Sequence, residues 1–147
     1  MRSKYGVKQI SVFLENRKGR LLEVTEALTE ANINIRALAM AESAEFGILR
    51  LVVDNPEKAK NALSKSGFTV NEQDVFAVEV EDRPGSFNEV VKVLAGEDIN
   101  IDYTYAFVGD SKRAVLIFRV ADDVLERALK ALDEKGIKLV EPIFFYS

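Results

Sequence analysis

The stretch ENRKGRLLEVTEALTEANINIR, residues 15–36, is written a second time as EDRPGSFNEVVKVLAGEDINID at residues 81–102. The offset is 66 from Gly19 to Gly85, from Leu28 to Leu94 and from Asn34 to Asn100 (85−19, 94−28, 100−34). Ile10, Val12 and Leu14 fall on Phe76, Val78 and Val80 at the same spacing. The offset grows to 69 at Ala59, Leu63 and Gly67 against Ala128, Leu132 and Gly136. Three residues are therefore added near FVGDSKRA (107–114), as expected of a loop that differs between copies. Whatever one half of this 147-residue chain builds, the other half builds again.

Each copy changes its period in the same order. Residues 8–14 and 75–81 alternate with period two, which predicts half-buried strands. After a glycine turn, Leu21, Val24, Leu28 and Ala31, like Phe87, Val90 and Leu94, recur at helical spacing. Two strands follow, INIRALAMA with FGILRLVVD in one copy and INIDYTYAF with AVLIFRVA in the other. Asn55-Pro56 and Asp122-Asp123 then punctuate a second helix, since a short polar side chain caps and proline suits the first turn. FTVNE and IKLVEPIFFY close the copies as strands, IFFY being expected to be buried, and Asn71, Glu72, Gln73 and Asp74 are left to turn between them. The order β-α-β-β-α-β, twice, predicts an α+β fold of two ferredoxin-like domains, each with two helices on one face of a four-stranded antiparallel sheet. The predicted domains are residues 1–74 and 75–147, with exchange of terminal strands left open.

Composition narrows the chemistry. The chain has no cysteine and no histidine, which removes thiol nucleophiles, imidazole acid–base catalysis, disulfides and most transition-metal ligation. No cofactor or metal is expected. With 20 Lys+Arg against 24 Asp+Glu the net charge is −4, which argues against nucleic acid and anionic membrane as partners. Without an apolar run of signal or membrane-span length, a cytoplasmic location follows by default.

Gly19 and Gly85 sit between a strand and a helix. Such a glycine either makes a tight turn or presents the amides of a helix N-terminus to an anion such as a carboxylate. Asn34 and Asn100, each between two isoleucines, either satisfy backbone groups at a strand start or offer an amide to a ligand ammonium. Asn16 and Asp82 supply a matching acceptor at the end of the first strand, while Arg17 and Arg83 read as exposed charges. Tyr103, Tyr105 and Phe107 alternate along one strand and read as a packed face. A helix N-terminus for a carboxylate and side-chain oxygens for an ammonium together describe a receptor for a zwitterion.

The two stretches quoted above resemble the ACT domain, whose strand, D/N-R-P-G-x-L turn, helix and -NI- strand they reproduce in order over nearly the whole chain. The resemblance implies an amino-acid-binding regulatory module, similar to those attached to phosphoglycerate dehydrogenase, aspartokinase and acetolactate synthase, with the ligand held between domains. It also implies one half-site at Asn16, Gly19, Arg20, Leu21 and Asn34 and another at Asp82, Gly85, Ser86, Phe87 and Asn100. Lys18 departs from the motif's proline, and Asp82 from the asparagine that favours amino-acid binding in some relatives.

The expectation is a non-enzymatic, stand-alone regulatory protein that binds a small amino acid between ACT domains. It would signal occupancy allosterically to an enzyme of amino-acid metabolism, or through its own oligomeric state, a homodimer being favoured. The alternative is a ligand-independent regulatory subunit that pairs through its sheets. A catalytic reading would have to work with pairs such as Glu15 and Glu23 or Glu81 and Asp82, residue types that are usually solvated beside a turn. An RNA-recognition reading lacks its sheet-surface aromatic signature.

Overall fold

The computed structural model describes residues 4–42, 45–108 and 112–146. Gly109, Asp110 and Ser111, within the stretch where the copies differ in length, lie outside the described residues. The chain divides into two compact units, each built on one repeat and completed by a segment from the opposite end of the chain. One is Lys8–Gln73 with Ile143–Ser147, and the other is Met1–Val7 with Asp74–Pro142.

The first-repeat unit contains β1 (Val7–Glu15), α1 (Arg20–Glu30), β2 (Ile35–Glu42), β3 (Phe46–Val53), α2 (Pro56–Lys65) and the start of β4 (Thr69–Glu81). Its strand order is β2-β3-β1-β4, with β1 and β2 antiparallel to β3. Alternation puts Ile10, Val12 and Leu14 on one face, where they meet Val24 and Leu28 of α1 and Ala59 and Leu63 of α2 in a single buried cluster. Asn55 caps α2, its Oδ1 accepting from Lys58 N–H at 3.2 Å, with Pro56 beginning the helix.

The opposite face of this sheet has a polar centre. Ser11 Oγ donates to Gln73 Oε1 at 2.6 Å, and Gln9 Nε2 donates to the same oxygen at 3.3 Å. Beside it lies α5 (Ile143–Tyr146), which touches β3 and carries the fully buried Phe145. Tyr146 Oη accepts from Lys8 N–H at 2.9 Å. Elsewhere on the unit an open apolar recess of about 580 Å³ is lined by Phe13, Ala41, Glu42, Phe46, Ile48 and Thr69.

The second-repeat unit contains the rest of β4, α3 (Ser86–Gly96), β5 (Tyr103–Val108), β6 (Arg113–Arg119), a 3-10 turn (Asp122–Val124), α4 (Leu125–Glu134) and β7 (Lys138–Leu139). Its order is β5-β6-β4-β7, antiparallel throughout. Phe76 and Phe118 stack at 5.5 Å in a core closed by Val90 and Leu94 of α3 and Ala128 and Leu132 of α4, and Tyr5 packs against it. Tyr103, Tyr105 and Phe107 share one half-buried face of β5, as the alternation predicts. The short β7 is held by charge as well as by its ladder: Lys138 Nζ lies 3.1 Å and Arg113 Nε 3.2 Å from Glu79 Oε2. The Lys138 hydrogen bond, opposed by partial burial and reinforced by the charges of Lys138 and Arg113, holds the Glu79 carboxyl below the ordinary carboxylate range.

Three expectations are corrected. Asn71, Glu72, Gln73 and Asp74 do not turn, because β4 runs unbroken through them. None of the four is glycine or proline, and Gln73 is tied by its side chain to β1. IFFY is not a strand but the helical turn α5. Pro142 cannot donate to a ladder, so pairing ends with Val140 N–H on Ala77 O at 2.9 Å and the chain leaves the sheet. Asp122 and Asp123 do not cap α4: they lie in the 3-10 turn, where Asp122 Oδ1 accepts from Arg119 Nη1 at 2.8 Å. Among the described residues no helix is long and apolar enough to cross a membrane.

Candidate functional site

The two glycine turns have the same backbone. Gly19 has φ 91° and ψ −11°, and Gly85 has φ 90° and ψ −14°. This is left-handed geometry, in which an L side chain strains the backbone. A Cβ on Gly19 would meet nothing within 4 Å, and one on Gly85 would meet only Arg83 Nη1 at 3.9 Å. Conformation rather than crowding therefore makes these positions glycine. The same backbone bonds follow in each copy: Arg20 N–H to Arg17 O at 3.4 Å and Ser86 N–H to Arg83 O at 3.3 Å, then Glu23 N–H to Gly19 O at 3.1 Å and Glu89 N–H to Gly85 O at 3.0 Å.

Neither α1 nor α3 has a side-chain cap at its start. The amides of the first turn of a helix have no acceptor within it, and they carry the positive end of its dipole. The next residue of each motif, Leu21 or Phe87, stands 44% or 45% exposed rather than in the core. Phe87 rests on Phe118, ring centroids 6.0 Å apart.

The copies part at the position after the glycine. In the first, Arg20 folds back on its own unit: it bonds Glu23, approaches Glu15 to 3.8 Å and lies 4.3 Å over the ring of Phe68. Its Nε, buried over that ring, has no acceptor. In the second, the counterpart is Ser86, which is buried and whose Oγ has no hydrogen-bond partner. The acids matching Glu15 and Glu23 are Glu81 and Glu89 (81−15 = 66, 89−23 = 66), and there Arg83 binds both, at 3.2 and 3.1 Å. The hydrogen bond and charge of Glu89 raise the Arg83 pKa still further, so this exposed guanidinium stays charged.

Asn16 and Asp82 are exposed at the turn entrances, anchored through backbone N–H to Glu45 O at 2.9 Å and Lys112 O at 2.7 Å. Asn34 and Asn100 are exposed just before β2 and β5. Asn34 N–H donates to Asp54 Oδ1 at 3.0 Å, and Asn100 Nδ2 donates to Asp102 Oδ1 at 3.2 Å. Neither asparagine is bonded to a glycine turn, so the structure gathers Gly85, Ser86 and Phe87 at one helix start but does not tie Asn100 to them. The residues that sequence reasoning missed are Phe68, which holds Arg20, and Phe118, which supports Phe87. The repeat offers no signal for either. Among the described residues no group of histidine, cysteine, aspartate and glutamate is placed to hold a metal ion.

Comparison with known proteins agrees with this architecture. A family model described as an ACT domain pair matches residues 5–142. The solved structure of protein BT0572 from Bacteroides thetaiotaomicron is similar at 38% identity over 97% of each chain, with a TM-score of 0.91. The regulatory subunit of aspartate kinase from Thermus thermophilus shares the fold at 16% identity, covering 90% of this chain and 95% of that one, with a TM-score of 0.65. That from Thermus flavus does so at 18% identity, 88% and 92% coverage and a TM-score of 0.61. No protein of curated function matches. The chain, with its two βαββαβ repeats opened by left-handed glycine turns, belongs to the ACT domain pair family.

Proposed function

We propose that this chain is a non-catalytic regulatory protein that binds a small free amino acid at the start of α3, the turn formed by Asp82, Gly85, Ser86 and Phe87. The observation that carries the reading is the difference between the copies after the glycine: the first has Arg20, engaged with Glu15, Glu23 and the Phe68 ring, whereas the second has a buried, unpartnered Ser86 hydroxyl at its helix start. A ligand carboxylate would take the first-turn amides of α3 and the Ser86 O–H, with the helix dipole behind them. Asp82 and the Asn100 carbonyl supply oxygens for the ammonium, and Phe87 on its Phe118 support supplies an apolar wall. Gly19, Arg20, Leu21, Asn16 and Asn34 then form a structural counterpart rather than a second binding site.

Occupancy acts on the oligomer, here a homodimer, or on an enzyme of amino-acid metabolism, because a ligand that prefers one arrangement shifts the equilibrium toward it. The shared fold of the aspartate kinase regulatory subunits supports that class of partner. A second reading, pairing through the sheets without any ligand, draws support from Leu38 and Met40, which stand 58% and 51% exposed on a strand at the sheet's end.

Thermal unfolding in the presence of each of the twenty amino acids separates the two. A ligand of the native state at 100 times its Kd adds about 2.7 kcal/mol, which raises the midpoint by roughly 5–10 °C for a chain of this size. A shift with one or two amino acids is expected. No shift with any of them overturns the sensor reading.

A further inference from the structure

One rung of the first-repeat sheet carries apolar side chains where the second-repeat sheet carries charge. Phe13 of β1 stands opposite Ile48 of β3, and Ile48 opposite Ala41 of β2. This rung lies on the face away from α1 and α2, because the alternating neighbours Val12, Leu14 and Leu49 belong to the helix-side core. Phe46 is two residues along β3 on the same face, and Phe13 and Phe46 stand 38% and 52% exposed. With Thr69 and Glu42 these side chains line the recess of about 580 Å³.

The second repeat shows what the first is short of. By the same registers Phe13, Ile48 and Ala41 correspond to Glu79, Val115 and Phe107, and Phe46 corresponds to Arg113. There Glu79 binds Arg113 and Lys138, Val115 is buried, and β5 brings the half-buried Phe107 to that face. In the first repeat two phenyl rings stand in place of the charges, and the methyl group of Ala41 stands in place of the Phe107 ring. The recess therefore lacks one aromatic ring that its counterpart has.

The charges around the recess select the molecule that would supply it. Glu42 is exposed and enters no ion pair among the described residues, and Glu45 stands exposed just before Phe46. Arg50 is next along β3 on the same face, so the inner end is positive and the outer end negative. A cation carried on an aromatic ring is thus drawn toward Glu42, and the exposed phenyl rings favour it further. An anion would meet two carboxylates on entering.

We propose that the recess binds a small arylalkylammonium ion, its ring taking the place that Phe107 takes in the other repeat and its ammonium group lying at Glu42. The site is distinct from the turn at α3 and does not depend on the amino-acid reading.

Three probes of nearly one shape test it: 2-phenylethylammonium, neutral 2-phenylethanol and anionic 3-phenylpropionate, each titrated into the full chain by NMR. The ammonium is expected to bind with a Kd of about 1 mM, the range for so few atoms. It should move the amide resonances of Phe13, Ala41, Phe46 and Ile48 and leave those of Ser86 and Phe87 in place. The neutral probe should bind roughly tenfold more weakly, and the anion more weakly still. Glu42→Gln should weaken the ammonium roughly threefold without affecting the neutral probe. Ala41→Phe, which supplies the missing ring from within, should abolish binding of both while the thermal midpoint stays equal or rises.

Equal affinity for the ammonium and the neutral probe overturns the choice of a cation, and tighter binding of the anion overturns it in favour of Arg50. No shift with the ammonium, shifts confined to Ser86 and Phe87, or undiminished binding in a folded Ala41→Phe variant overturns the site. Amino-acid binding measured on the same preparations keeps the sensor reading separate: a chain that binds the amine and no amino acid supports this inference while sinking that one.

Discussion

At Gly85 the backbone is left-handed and the space around it is open, so a substitution is penalised by conformation rather than by collision. Gly85→Ala is expected to cost about 1–2 kcal/mol in thermal unfolding, and Gly19→Ala a similar amount. Only the Gly85 change should also weaken amino-acid binding. Ser86 gives the opposite pairing of signs. Its hydroxyl is buried without a partner, a cost to the free protein that Ser86→Ala relieves, so that variant should be as stable as the wild type or more so by up to about 1 kcal/mol. It should nonetheless bind the ligand more weakly. Equal stability with unchanged affinity would assign Ser86 to packing alone. The glycines were legible in the sequence because a duplicated glycine between strand and helix has few other uses. The fate of Arg20 was not, because a long side chain has many rotamers and the choice made here depends on Phe68, distant in sequence from Arg20.

Among the elements, the strands and long helices follow from periods repeated in two copies, and the ladders confirm them residue by residue: Ile10 on Leu51, Val12 on Leu49, Phe76 on Phe118. The readings fail where an element is too short to have a period. IFFY spans four residues, and an apolar run of that length looks the same as strand or helix until Pro142 decides it. Phe145 within it is fully buried in the first-repeat unit. Phe145→Ala is therefore expected to cost about 3–5 kcal/mol, with hydrogen-exchange protection lost in β1 and β3 rather than in α3 and α4.

The short β7 makes a different prediction. Because the folded Glu79 carboxyl is held below its ordinary value by Lys138 and Arg113, its contribution is present above the unfolded carboxylate pKa of 4.5 and is lost as pH falls through the lower folded value. The group is partly exposed, so the contribution is about 0.5–1 kcal/mol. Glu79→Gln should lose that much near neutrality and show a shallower acid limb in stability against pH, while matching the wild type once the Glu79 carboxyl of the wild type is protonated in both the folded and the unfolded state.

For the whole molecule, two copies of one motif keep a common frame and differ at the position after the glycine, Arg20 in one and Ser86 in the other. Each repeat is completed by a segment from the other end of the chain, Tyr5 joining the second core and Phe145 the first unit. The sequence signalled the pair plainly through its constant offset. It did not signal the exchange, because the exchanged pieces lie outside the repeated stretches.

The same difference underlies the proposal that the second turn, with Ser86, senses an amino acid and the first, with Arg20, does not. Calorimetric titration with the amino acid found in the unfolding screen tests it most directly. The account predicts one ligand per chain, binding abolished by Gly85→Val and retained by Gly19→Val. Two ligands per chain, or binding that survives Gly85→Val and is lost with Gly19→Val, would contradict it.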